Sequence, residues 1–230
     1  MTENKIPVSQ VETCYEELRE LIISCELAPG SRLNEKALME RLGYGRTPIR
    51  EALMRLDHDR LIETKQRSGY LVRPLTRKSV ADLLVVWRDV VSLIVSLSML
   101  NMTEQTRADS IALVEQKGDA VRSDPLVSLR ITRQLFDTLI EIADNEPLAY
   151  IYRNLIADLE RVSILLFYLP HGQNWAGGAE VIAALLHEQN PAVAGAKARQ
   201  RVTESSEAIL AYLDAQPDPD INLPYLGPRA

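Results

Sequence analysis

The sequence predicts a mainly α-helical protein in two parts: three short helices closed by a β-hairpin, then an all-α antiparallel helical bundle. Three observations carry this. Apolar residues recur at three- and four-residue steps from Val11 onward. The β-type runs Leu61-Ile62-Glu63-Thr64 and Tyr70-Leu71-Val72-Arg73 lie close together, and no convincing strand follows Pro74. A chain of 230 residues also suits two domains of roughly 100–150 residues each better than one. The expected layout is a tail over 1–8, a first domain over 9–76, a second over 77–215 and a tail over 216–230, the last rich in Pro and Asp and without apolar periodicity.

Val11, Tyr15, Leu18, Ile22 and Cys25 share one helical face, which predicts a first helix over 11–26 ended by Pro29-Gly30. Asn34 is a fitting cap for a second helix through about Leu42, and Gly43-Tyr44-Gly45 turns the chain. Thr47 is expected to cap a third helix with Pro48 in its first turn and Ile49, Ala52, Leu53 and Leu56 inward. The two β runs around Lys65-Gln66-Arg67-Ser68-Gly69 then form a hairpin, so that the whole is a winged helix-turn-helix.

Helical segments are expected near 79–101, 104–122, 125–143, 147–168, 175–188 and 191–214. Ser123-Asp124-Pro125, Asn145-Glu146-Pro147, Pro170-His171-Gly172 and Asn190-Pro191 break them. Short connections between helices imply antiparallel neighbours. Leu83–Leu100 is apolar enough to raise the question of a membrane span, but Arg88 and Asp89 lie inside it and no basic flank follows. A helix buried within protein, with no membrane partner, is the expectation.

Apolar residues make up 46% of the chain, enough for a packed core in each part. The net charge of −6 is uneven: residues 1–78 hold 14 Lys+Arg against 12 Asp+Glu, and the remainder holds 12 against 20. A first third that is net basic on an acidic remainder suits a protein that meets phosphates at one end only. Cys14 and Cys25, the two cysteines, would stand roughly 16 Å apart along one helix, too far to bridge. With no signal peptide in view, a reducing cytoplasm is the expected compartment.

In the third helix, the inward set leaves Arg46, Thr47, Arg50 and Met54 outward near the N-terminal end. Such an end can enter a major groove, where an arginine fork pairs with guanine O6 and N7 and free N–H groups hold a phosphate. Arg67 and Gly69 at the hairpin tip are placed to approach the adjacent minor groove. The other reading of these arginines is ordinary solvated charge.

The run Leu42-Gly43-Tyr44-Gly45-Arg46-Thr47-Pro48-Ile49-Arg50-Glu51-Ala52-Leu53-Met54-Arg55-Leu56, preceded by Leu27-Ala28-Pro29-Gly30-Ser31-Arg32-Leu33, resembles the winged helix of the GntR family of bacterial repressors. The helical remainder is similar to the family's FadR-like branch, whose ligand-binding domain is called FCD. The resemblance covers about residues 9–215 and is far more specific in its N-terminal motif. It implies DNA contacts at Lys36, Arg46, Thr47, Arg50, Arg67, Ser68 and Gly69. Gly45 departs from the Ser or Thr common at its position, and Arg60 from a helix-ending glycine.

Many FCD domains hold a divalent metal with one Asp and three His. Anchored on Asn145, the resemblance places those positions at Thr132, Phe136, near Ala179 and near Arg201, none of which is a ligand of that type. His58, His171 and His187, the three histidines, share no helical turn, so no metal and no other cofactor is expected. Arg88, set in an apolar run where a cation needs a partner, and Arg201, at a former ligand position, are the candidates to bind an anionic effector directly, with Thr132 as polar partner. A salt bridge from Arg88 to Asp89 or to another acid of the bundle is the alternative. The resemblance thus implies a cytoplasmic homodimer that binds a double-stranded operator, represses transcription and responds to a small carboxylate. A domain whose cavity is filled by Phe136 and its apolar neighbours, with no effector, is the second reading. An enzyme is not expected, because the sequence has no Gly-rich phosphate loop, nucleophile elbow or metal-ligand cluster.

Overall fold

The computed structural model describes residues 9–65, 69–118, 123–167 and 178–215. It divides into two compact units, Met1–Leu75 and Thr76–Ala230. The expected tails, and the helical turns expected over 119–122, at 168 and over 175–177, lie outside the described residues.

In the first unit, α1 spans Gln10–Ile23, with Ser9 capping it by accepting a hydrogen bond from the Glu12 N–H at 3.1 Å. It stops three residues short of the expected end because Cys25 takes a left-handed conformation, φ 60°. A two-residue strand β1, Arg32–Leu33, precedes α2, Glu35–Leu42. Asn34 caps α2 through the Ala37 N–H, and Gly43 ends it at φ 76°. The third helix, α3, spans Arg46–His58 and buries Ile49, Ala52, Leu53 and Leu56. Its N-cap is Gly45, without a side-chain hydrogen bond. Thr47 therefore lies within the helix rather than capping it as expected.

Strands β2, Ile62–Lys65, and β3, Gly69–Val72, pair antiparallel with Lys65 opposite Gly69. On the other side β3 takes β1, with Arg32 opposite Leu71. The sheet is three-stranded where a two-stranded hairpin was expected, because β1 is too short to show a period. Leu18 and Ile22 of α1, the inner face of α3, and Leu61, Ile62 and Val72 form the core, each at most 2% exposed.

In the second unit α4, Arg77–Asn101, opens on a capping box between Thr76 and Ser79. It packs along α9, Pro191–Asp214, and against α6, Pro125–Ala143, and α7, Glu146–Phe167. The helices α5, Glu104–Glu115, and α8, Ala179–Leu185, pack on each other at the side of the unit. By length and composition α4 passes for a membrane span, yet half of its apolar window is buried inside this unit. Among the breakers, Asp124 and Asn190 serve as caps, each accepting from two backbone N–H groups, with Pro125 and Pro191 next in the chain.

Where α9 crosses α4, Gly195 lets the backbones approach closely. A Cβ there would stand 1.9 Å from Ser96 Oγ and 2.8 Å from the Ser92 carbonyl oxygen. An arginine–aspartate pair, Arg77 with Asp214 at 2.6 Å, joins the opening of α4 to the close of α9.

Candidate functional site

The outer surface of α3 follows from its inner one. With Ile49, Leu53 and Leu56 fully buried, the helical period puts Arg46, Thr47, Arg50 and Met54 outside, and all four are exposed. The chain does little to satisfy the opening of this helix, since Gly45 has no side chain and Pro48 has no N–H. The first N–H groups face outward with the positive end of the helix dipole. Two arginines four residues apart flank that end.

Three ties hold α3 in place. Arg55 grips Glu12 of α1 at 2.6 Å while its guanidinium lies over the Tyr15 ring, 4.1 Å from the centroid. Tyr15 donates to Asp59 at 2.6 Å. Asp57 accepts from both the N–H and the hydroxyl of Thr64, fastening the first strand of the hairpin to the end of α3. Asp59 caps that end, and Arg60 follows at φ 58°. The Leu61 N–H reaches the Leu56 carbonyl at 2.9 Å and the Arg60 N–H reaches that of Asp57 at 3.1 Å, a Schellman closure with arginine where glycine is usual.

Of the other residues expected to meet DNA, Lys36 is exposed on α2 and lies 3.7 Å from Glu40. Arg50 is engaged by Glu35, also on α2, at 3.0 Å. Gly69 takes φ 75° at the start of β3, while Arg67 and Ser68 lie outside the described residues. This geometry is that of winged helix-turn-helix proteins that bind DNA.

Residues 10–72 match the family model of the bacterial regulatory proteins of the gntR family. The chain is 26% identical over 156 residues to the HTH-type transcriptional regulator YdhC of Bacillus subtilis, a match covering 67% of this chain and 66% of YdhC. Its fold resembles a GntR transcriptional regulator from Rhodococcus sp. RHA1, with a TM-score of 0.62 and 20% identity over 91% of this chain and all of that one. It also resembles Escherichia coli McbR, with a TM-score of 0.61 and 21% identity over 89% of this chain and 98% of that one. Residues 10–72 of the chain therefore form a DNA-binding domain of the gntR family. Its relatives are regulators, not enzymes.

The three residues expected to hold an effector are not brought together. Thr132 lines a cavity in the second unit with Trp87, Arg133, Phe136 and Glu160. Arg88 is not among the residues lining that cavity; it is about one-third exposed on α4 and lies 3.5 Å from Asp89, as in the alternative reading. Arg201 is exposed, pairs with Glu204 at 3.2 Å and lines a separate shallow groove with Glu180 and Lys197.

Among the described residues, the cation lining the Thr132 cavity is Arg133, which sequence reading missed. Its guanidinium bonds Asp137 at 2.9 Å and Glu160 at 3.0 Å. Burial opposes the Arg133 charge, but Glu160, Tyr152 and Asp137 outweigh it and hold the charged form more firmly than in water. Tyr152 donates to Asp137 at 3.0 Å, and burial, then Asp137, raise the phenol above its ordinary range. The available signal was Glu160-Arg161 inside the apolar pattern of Ile156, Leu159 and Val162, where charges need partners.

Of the four positions matched to the family's metal ligands, Thr132 and Phe136 line this cavity and Ala179 is tied to it through Thr132. The Thr132 hydroxyl accepts from the Ala179 N–H at 3.2 Å, and Phe136 meets Trp87 edge-on with centroids 5.2 Å apart. One engaged hydroxyl and an aromatic ring do not make a divalent-metal site. Among the described residues no group of three or more His, Cys, Asp or Glu is placed to hold an ion.

Proposed function

We propose that this chain is a cytoplasmic repressor that binds a pseudo-palindromic operator as a homodimer, each copy placing the N-terminal end of α3 in a major groove. The observation that carries this reading is the pair of exposed arginines, Arg46 and Arg50, at a helix start without a side-chain cap. Thr47 and the first N–H groups of α3 hold a phosphate, Lys36 meets the backbone, and the hairpin tip at Arg67, Ser68 and Gly69 reaches the flanking minor groove. Selection of duplexes from a random library by the full chain tests this directly. The expected result is two inverted half-sites spaced by about one helical turn. A library that stays random would refute it.

The second unit is of the FCD type and senses a small carboxylate without a metal. Its anion anchor is Arg133, with Thr132 beside it and Trp87 and Phe136 forming an apolar wall. Arg88 and Arg201 have no part in this site, since neither lines the Thr132 cavity. Effector binding shifts operator affinity tenfold for each 1.4 kcal/mol of coupling. Thermal unfolding against a panel of carboxylates, sugar acids and acyl thioesters, with and without chelator, tests this. A ligand at a hundred times its Kd stabilises the fold by about 2.7 kcal/mol.

The second reading, an effector-independent domain, is favoured by one observation. Arg133 is already bonded to two carboxylates, and the Trp87–Phe136 contact fills part of the space. A panel without any hit selects this reading, whereas a hit abolished by chelator overturns the metal-free site instead.

A further inference from the structure

The contact between Glu35 and Arg50 joins two helices at the surface meant for DNA. Glu35 opens α2, and its carboxylate Oε2 accepts from Arg50 Nε of α3 at 3.0 Å. The glutamate side chain is 28% exposed and the arginine 54%. As a contribution to stability such a pair is worth little, because water screens it and two long side chains lose freedom to make it. A carboxylate beside a phosphate-binding surface is moreover unfavourable for DNA in general.

Its chemistry suits a different task. A guanidinium has five N–H donors in a rigid plane. With Nε held, the end formed by Nη1 and Nη2 remains a two-pronged fork of the kind that pairs with guanine O6 and N7. An arginine fixed before binding also has less rotamer freedom to lose when it meets the base.

We propose that Glu35 is a positioning residue for Arg50, holding its Nε so that the Nη1–Nη2 edge reads a base, and that it raises the preference for operator over other DNA. This rests on the reading that α3 meets the major groove. Glu35 acts through Arg50 alone and touches no DNA itself.

The test uses the full chain as wild type, Glu35→Ala, Glu35→Gln, Arg46→Ala, Arg50→Ala and the double alanine variant of Glu35 and Arg50. Fluorescence anisotropy measures affinity for the duplex selected by the wild type and for a scrambled duplex of equal length. Glu35→Ala is expected to lower the ratio of the two affinities about tenfold, with an unchanged thermal midpoint. Glu35→Gln retains most of the ratio, because its amide oxygen still accepts from Nε. In the Arg50→Ala background, Glu35→Ala changes the ratio no further. A wild-type ratio in Glu35→Ala, or an equal loss with and without Arg50, overturns the proposal. A wild-type ratio in both Arg50→Ala and Arg46→Ala instead overturns the reading of α3 on which it rests, and one in Arg50→Ala alone overturns the proposal.

Discussion

Arg60, like Cys25 and Asp144, is at odds with its backbone. At φ 58° it adopts the left-handed conformation that costs a residue with a Cβ roughly 1–2 kcal/mol. Arg60→Gly is expected to stabilise the first unit by about 1 kcal/mol, less than the full cost because glycine also loosens the unfolded chain. Chemical denaturation reads this as a higher midpoint at unchanged slope. Gly45 is the converse. A Cβ there meets only Pro48 Cδ at 4.0 Å, so Gly45→Ser can cap α3 and offer a hydroxyl to phosphate. A gain of a few tenths of a kcal/mol in stability and tighter binding to any duplex are expected. Both positions stood out in the sequence as departures from a resembled pattern. Arg133 did not, because Arg133 and Asp137 at i and i+4 read as an ordinary surface pair until Glu160 arrives from another helix.

At the scale of elements, the legible features were those with a long period or a strong breaker. Asn34, Asp124 and Asn190 announce their helices by chemistry the structure repeats, each accepting from the first turn. The strand β1 has two residues and exists only through its pairing with Leu71 and Tyr70, which no local pattern records. The end of α1 was misplaced because Cys25 continues the apolar period while its backbone has left the helix. It is buried like Cys14, whose thiol is pushed up to about 11 by burial and then by Glu17. The crossing of α4 and α9 gives a sharp test. Gly195→Ala is expected to destabilise the second unit by about 1–3 kcal/mol. Adding Ser96→Ala should recover only part of the loss, since the Ser92 carbonyl at 2.8 Å belongs to backbone and moves only with the helix.

At the scale of the whole molecule, charge pairing sets the response to acid. The carboxyls of Glu12, Asp89 and Asp214 are held below their ordinary values by hydrogen bonds from Arg55, Arg199 and Arg77 respectively. A carboxyl depressed in the folded state stabilises it above the unfolded value of about 4, and that contribution disappears as pH falls through the lower folded value. The thermal midpoint should therefore stay level from pH 7 to about 5 and fall progressively below about 4. The uneven charge along the chain was likewise legible, and it pointed to the correct end as the one that meets DNA. The lining of the Thr132 cavity was not legible, because it depends on which faces of α4, α6 and α7 turn toward it. That arrangement separates Arg88 and Arg201 from Thr132. The central claim is that the start of α3 reads DNA. It is tested most directly by titrating the wild-type, Arg46→Ala and Arg50→Ala proteins with the selected duplex. Each substitution is predicted to weaken binding by about 1–3 kcal/mol and to relax selectivity at one or two positions, while wild-type affinity in both variants would contradict the account.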